Sequence, residues 1–278
     1  MEKELVGEKL RRFIHPVVIK VLSLRRKFKL EIQGAIPKGQ QFIFIANHFC
    51  IDDIPTLGEI IGDHIYVLVS DEDKGTPDGL ALDLNGVVWT NRLDKEARKK
   101  SRDGLLRHLK LGHSIVMYPE ATWNLSPNLP MLPMNFGCVA LSLETGVPIL
   151  PIYLHFTDDV CYVEINKPFY PSDDKVESIG ELRDIMATSA WKFFEADERL
   201  QRDTLDINYW EENIAERYSK YGRAKKDPVG VRTYEAQFIF RPKGQVTYEE
   251  AFAHLDQLIP RRETAFLFRK NKTMRIES

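Results

Sequence analysis

The chain has 278 residues, with 39 basic and 41 acidic side chains giving a formal net charge of -2 at 43% apolar content, enough for one large core or for a core with an extension. No apolar run reaches the length needed to span a bilayer, and the start Met1-Glu2-Lys3-Glu4 lacks the basic, then apolar, then small-residue order of a secretory signal. Cys50, Cys138 and Cys161 are odd in number and widely spaced, which suits a reducing compartment and offers neither a disulfide framework nor a zinc pattern, so a cytoplasmic chain with no structural metal is expected.

In chain order, the first 40 residues form a basic amphipathic segment. Lys9, Arg11, Arg12, Lys20, Arg25, Arg26, Lys27 and Lys29 are interleaved with Leu10, Phe13, Ile14, Val17, Val18, Ile19, Val21 and Leu22. A helix of this kind can lie in the headgroup plane of an anionic membrane. A surface helix packed on its own domain has the same periodicity, and Pro16 would start or kink either one. Gly34 to Gly39 reads as a turn into a first strand at Gln41 to Ala46. A helix follows, with Asp52 or Asp53 as its cap, Pro55 in its first turn and Leu57, Ile60 and Ile61 inward. Strands are expected at His64 to Ser70, Gly86 to Thr90 and Ser114 to Tyr118, with a helix from Asp94 to Leu111 between the last two. A helix from about Phe136 to Glu144 stops at Gly146, and the apolar run Val147 to Leu154 pairs with Tyr162 to Ile165.

Strands alternating with helices predict an α/β fold, a mixed sheet flanked by helices. Its core spans 41–170. Beyond Pro171 the pattern becomes mainly helical, near Gly180 to Leu200, Asn208 to Tyr221 and Thr247 to Leu258, around a strand at Ala236 to Phe240, so 171–278 reads as an extension.

Loops that follow the strands of an α/β sheet converge on one edge. Three of them hold polar clusters: Asn47, His48 and Asp53; Asn91 and Arg92; and Tyr118-Pro119-Glu120-Ala121-Thr122-Trp123-Asn124. A histidine with a carboxylate five positions on suits a general base whose tautomer is fixed by its partner. A loop pair doing capping work has the same spacing. His64, His108, His113 and His155 show no metal-ligand spacing around them.

These clusters resemble four blocks of the glycerolipid acyltransferases related to 1-acylglycerol-3-phosphate acyltransferase, namely N-H-x-x-x-x-D, G-x-x-x-x-x-R, F-P-E-G-T-R-S and V-P-I-x-P-V. Here they read Asn47 to Asp53, Gly86 to Arg92, Tyr118 to Asn124 and Val147 to Ile152, in that order over residues 41 to 170. The resemblance implies a glycerol-3-phosphate acyltransferase-like fold. It also implies that His48 activates an acceptor hydroxyl, that Asp53 orients it, and that the hydroxyl attacks an acyl thioester on coenzyme A or acyl carrier protein. Such a reaction needs a proton acceptor and no metal or cofactor. Cys50 is nearby, but a thiol in an apolar loop more often serves as packing.

By resemblance Arg92 binds a phosphate, a task a planar guanidinium performs with paired bonds. Asn47, Glu120, Thr122 and Trp123 then line the substrate site, with Glu120 bonding substrate hydroxyls or backbone amides. The departures bear on the acceptor: Asn91 replaces an aspartate, Ala121 a glycine, Trp123 an arginine used on acceptor phosphate, and Asn124 a serine. The expected activity is transfer of a fatty acyl group to a hydroxyl of a lipid or polyol. The partners expected are acyl-CoA or acyl-ACP, the acceptor and, at its inner face, a membrane surface; no nucleic acid is expected. Two alternatives stay open: a strict lysophospholipid acyltransferase in which Lys167 replaces the missing arginine, and a catalytically silent lipid-binding protein of the same fold.

Overall fold

The run Phe42-Ile43-Phe44-Ile45-Ala46 is almost wholly withdrawn from solvent, as are Ile115 and Val116 and the stretch Ile149 to Leu154. Strands covered on both faces need such continuous apolar runs, and these form the middle of one sheet. The computed structural model describes residues 8–24, 28–50, 52–71, 74–91, 94–121, 124, 130–157 and 159–196. In chain order the elements are α1 (Glu8–Ser23), β1 (Lys29–Gln33), β2 (Ile43–Ala46), α2 (Asp53–Ile61), β3 (Tyr66–Ser70), α3 (Pro77–Asn85), β4 (Val87–Thr90), α4 (Lys95–Lys110), β5 (Ile115–Met117), α5 (Gly137–Thr145), β6 (Ile149–Phe156), β7 (Val160–Ile165) and α6 (Lys175–Ala196).

The sheet has seven strands in the order β1-β7-β6-β2-β5-β3-β4. Strands β6, β2, β5, β3 and β4 run parallel, while β7 is antiparallel to β6 and β1 is parallel to β7. The mixed sheet flanked by helices expected from the sequence is therefore present. Parallel strands joined through a helix cross over right-handedly. The connections β2-α2-β3 and β3-α3-β4 step one way along the sheet, and β4-α4-β5 and β5-α5-β6 step the other, so α2 and α3 lie on one face and α4 and α5 on the opposite face. The packing agrees, since α1 contacts α2 and α3, and α4 contacts α5. The crossovers leaving the neighbouring strands β2 and β5 diverge, which makes their carboxyl ends a topological switch point, where α/β sheets open a crevice.

Local chemistry explains the helix ends. Thr76 caps α3 by accepting the Gly79 amide at 3.0 Å, and Pro77 follows in the first turn where no amide donor is missed. Asp94 caps α4 by accepting the Glu96 amide. Gly62 and Gly146 end α2 and α5 in the left-handed conformation.

Several expectations change. The strand at Ile43 is the second, because β1 precedes it and pairs in register with β7 from Lys29↔Val160 to Gln33↔Glu164; the sheet thus begins within the basic segment. Helix α3 was not foreseen. Asp52 stands at the N-cap of α2 with helical dihedrals and makes no side-chain capping bond. The helix expected from Gly180 starts at Lys175, and the elements expected at 208–221, 236–240 and 247–258 lie outside the described residues.

Candidate active site

The chain divides into two compact units, one comprising residues up to 47 with 51–119 and 135–189, the other comprising 48–50 and 120–134 with residues from 190 on.

In the first unit, β2 ends at Ala46, and Asn47 continues its pairing with a side chain. The Asn47 amide nitrogen donates to the Leu154 carbonyl at 2.8 Å, and the Leu154 amide donates to Asn47 Oδ1 at 2.8 Å. The buried carboxamide thus stands in for one more peptide of the ladder, one residue before His48. Asp53 is fully buried in the first turn of α2, where the helix dipole favours a carboxylate. Gly86, the glycine of the second block, caps α3 at φ 109°, and a Cβ there would press on the rings of His64 and Tyr66. Asn91 is half-buried just past β4, and its carbonyl accepts the Asp94 amide at 3.3 Å. Arg92, Thr122 and Trp123 lie outside the described residues.

Lys167 follows β7, and because β7 runs antiparallel to β6 it lies beside the amino end of β6, where Ile149 bridges to Phe169. That is the edge opposite the carboxyl ends of β2, β4 and β5.

In the second unit, Glu120 is fully buried and both carboxylate oxygens accept main-chain amides, His48 N–H at 3.3 Å and Leu132 N–H at 2.8 Å. The Asn124 amide donates to the His48 carbonyl at 2.8 Å. The peptide groups on both sides of the His48 side chain are thus tethered, its N–H by Glu120 and its C=O by Asn124. The His48 side chain is half-buried, Cys50 is buried, and Ala121 adopts φ 58°. Such a loop presents an imidazole on a fixed backbone, the requirement for a general base that must meet a hydroxyl in one geometry.

Four other histidines, His15, His64, His108 and His113, form a cluster of their own in the first unit. His15 Nδ1 and Asn85 Oδ1 are 2.6 Å apart, and His64 Nε2 bonds the Asn85 carbonyl. Tyr66 stacks on His108 with ring centroids 3.6 Å apart, and His108 Nδ1 lies 3.3 Å from His113 Nδ1. Burial, the largest influence, together with the nearby His15, Arg11 and Arg12 and against the opposing bond to Asn85, lowers the His64 pKa to about 4. Among the described residues no three histidine, cysteine or acidic side chains are grouped to hold a metal ion. Sequence spacing hid this cluster, because its members come from α1, α4 and two loops and meet only once the sheet has formed.

Residues 27–155 match the family model described as Acyltransferase. The chain is 25% identical over 162 residues to a chloroplastic 1-acyl-sn-glycerol-3-phosphate acyltransferase of Brassica napus, covering 56% of this chain and 46% of that protein. It is 25% identical to a lyso-ornithine lipid O-acyltransferase of Pseudomonas aeruginosa (56% of this chain, 58% of that one), and 28% identical to a 1-acyl-sn-glycerol-3-phosphate acyltransferase of Saccharomyces cerevisiae (50% and 51%). The chain thus spans about half the length of the curated relatives it matches. In fold it resembles the crystal structure of the 1-acyl-sn-glycerophosphate acyltransferase PlsC of Thermotoga maritima, with a TM-score of 0.56 at 18% identity over 68% of this chain and 84% of that one. Residues 27–155 hold all four motif blocks, and over that stretch the chain is similar to the acyltransferase family and, among the relatives named, to glycerolipid acyltransferases.

Proposed function

We propose that this chain transfers a fatty acyl group from an acyl thioester, on coenzyme A or acyl carrier protein, to a hydroxyl of a lysolipid acceptor. The observation that carries the reading is the tethered backbone of His48, held through Glu120 and Asn124 inside a stretch that matches the acyltransferase family. His48 takes the proton of the acceptor hydroxyl as its oxygen attacks the thioester carbonyl. The tetrahedral oxyanion collapses, the carbon–sulfur bond breaks, and the imidazolium returns its proton to the departing thiolate. An ester and a free thiol result, with no redox change and no cofactor. Asp53, five residues on in the same block, is assigned as the carboxylate that orients the imidazole. Asn47 and Glu120 are positioning residues that act through the backbone, because their described bonds go to Leu154, His48 and Leu132.

Arg92 is assigned to a phosphate of donor or acceptor, and Thr122 and Trp123 to the acceptor pocket, by the resemblance of their blocks. With tryptophan in place of the arginine, the acceptor need not carry a glycerol phosphate. The lyso-ornithine lipid relative supports that wider class, since by its name it acylates an amino-acid lipid. Acceptors of this kind reside in a membrane, and the reaction is assigned to its inner face.

Thiol release from palmitoyl coenzyme A, measured for wild type and His48→Ala across lysophosphatidic acid, lysophospholipids, lyso-aminolipids and diacylglycerol, tests the proposal. Release should require one acceptor and fall at least 1,000-fold in the variant, with a melting temperature changed by no more than a few degrees. If coenzyme A and acyl carrier protein donors both give acceptor-independent or undetectable release, the protein is a silent lipid binder and the transferase reading is wrong.

A further inference from the structure

The chain that carries the third block leaves the first unit after Pro119 and re-enters it at Asn135, two residues ahead of α5. At that neck one carbonyl takes two donors from one residue. The Pro119 carbonyl accepts the Asn135 main-chain N–H at 2.8 Å and the Asn135 side-chain amide at 3.0 Å. The carboxamide must present its nitrogen here, because its own oxygen would set one acceptor against another.

An asparagine at this place would be expected to serve the helix instead. Phe136 stands at the N-cap of α5 without a side-chain capping bond, and the residue type best suited to supply one is next to it. Its side chain turns to Pro119 all the same. Residue 135 also lies outside all four motif blocks.

A second rung lies inside the neck. Glu120, the residue after Pro119, accepts the Leu132 N–H at 2.8 Å with one oxygen and the His48 N–H at 3.3 Å with the other. The Asn135 pair therefore fixes both chain ends from which the Glu120 carboxylate is aimed. Met131, Leu132 and Met134 are buried and set how deep the returning arm lies. Burial is non-directional, however, and does not set the angle at which an N–H meets a carboxylate; bonds do.

We infer that Asn135 is a positioning residue for acyl transfer, whose side-chain amide closes the neck on Pro119 and so keeps Glu120 aimed at the His48 backbone. The inference rests on the transferase reading and adds a residue whose side-chain bond goes to main chain alone. With the side-chain amide removed, the main-chain N–H of residue 135 still donates to Pro119, so the neck loosens without opening. The loss then falls on the chemical step, where a small misplacement of the base is costly, rather than on binding or folding.

The test is steady-state acyl transfer by Asn135→Ala and by Asn135→Asp, which keeps the side chain's size but replaces its donor with an acceptor. Amide hydrogen exchange of the full chain gives a readout that needs no turnover. In both variants kcat should fall roughly 10- to 100-fold, with KM for donor and acceptor held within about threefold. The His48 and Leu132 amides should exchange about tenfold faster, while those of β2 stay as in wild type and the melting temperature moves by no more than a few degrees. Wild-type kcat with wild-type exchange in the variants would overturn the inference. So would a loss of kcat with faster exchange throughout the sheet, which would make Asn135 structural only, or a raised KM at unchanged kcat, which would make it a substrate contact. A wild type that transfers no acyl group sinks the transferase reading instead, and faster exchange confined to His48 and Leu132 in the variants would still establish the clamp.

Discussion

Ala121 sits at φ 58°, in the left-handed region where a Cβ crowds the backbone. It occupies the position at which the resembled block carries glycine, and the loop it belongs to holds His48 by way of Glu120 and Asn124. The backbone has kept the glycine conformation although the residue has changed. Ala121→Gly should therefore raise stability by about 0.5–1 kcal/mol, read as a higher urea midpoint; a lower one would mean the methyl group packs well enough to offset the strain. The letters of the blocks pointed to His48, Asp53 and Glu120, but the bonds Glu120 makes were not legible. Its partners are main-chain amides, which every residue carries, so no side chain at the far end marks the contact. The same holds for Asn47. The sequence suggested a substrate contact, and the structure gives it a main-chain partner 107 residues away.

Among whole elements, the buried strands and the glycine-capped helices were plain in the chain because apolar runs and left-handed caps are local signals. Strand β1 and helix α3 were not. β1 lies at the sheet edge with four of its five residues exposed, so it lacks the alternation that marks a half-buried strand. Helix α3 exposes Leu80 and Leu84, which blurs the inward stripe, although Thr76-Pro77 was a start signal that could have been read. The stripe on α1 left two readings open, a membrane face or a core face, and the helix has both an inward and an outward apolar side. Gly86 joins α3 to β4 under the rings of His64 and Tyr66 with φ 109°. Gly86→Ala should cost about 2–4 kcal/mol from strain and crowding together, measured by chemical denaturation. A loss below 0.5 kcal/mol would show that the glycine of the second block is there for the reaction and not for the fold.

At the scale of the molecule, the His64 pKa of about 4 links stability to pH. The folded protein keeps this imidazole neutral where the unfolded chain, with an ordinary value near 6.5, takes up a proton. Its contribution is thus complete above pH 6.5 and is lost as pH falls toward 4, by about 2 kcal/mol between pH 7 and 5. Urea melts of wild type and His64→Gln at those two pH values measure it. The variant should lose less stability on acidification, and equal losses would place the titration elsewhere.

The strand that leads into His48 has only distant neighbours. Ile43 of β2 pairs with Ile115 of β5 on one side and Ile149 of β6 on the other, and no local hairpin can hold it beforehand. Both partners lie roughly 70 to 105 residues further along the chain, and such non-local pairings close late in folding. At ribosomal rates of about 5–20 residues per second, β2 waits roughly 5–20 s for the second partner to be synthesised. During that interval its five consecutive apolar residues are a ready target for chaperones, and a nascent chain cut short before β6 carries the histidine block without the sheet that would give it a working shape.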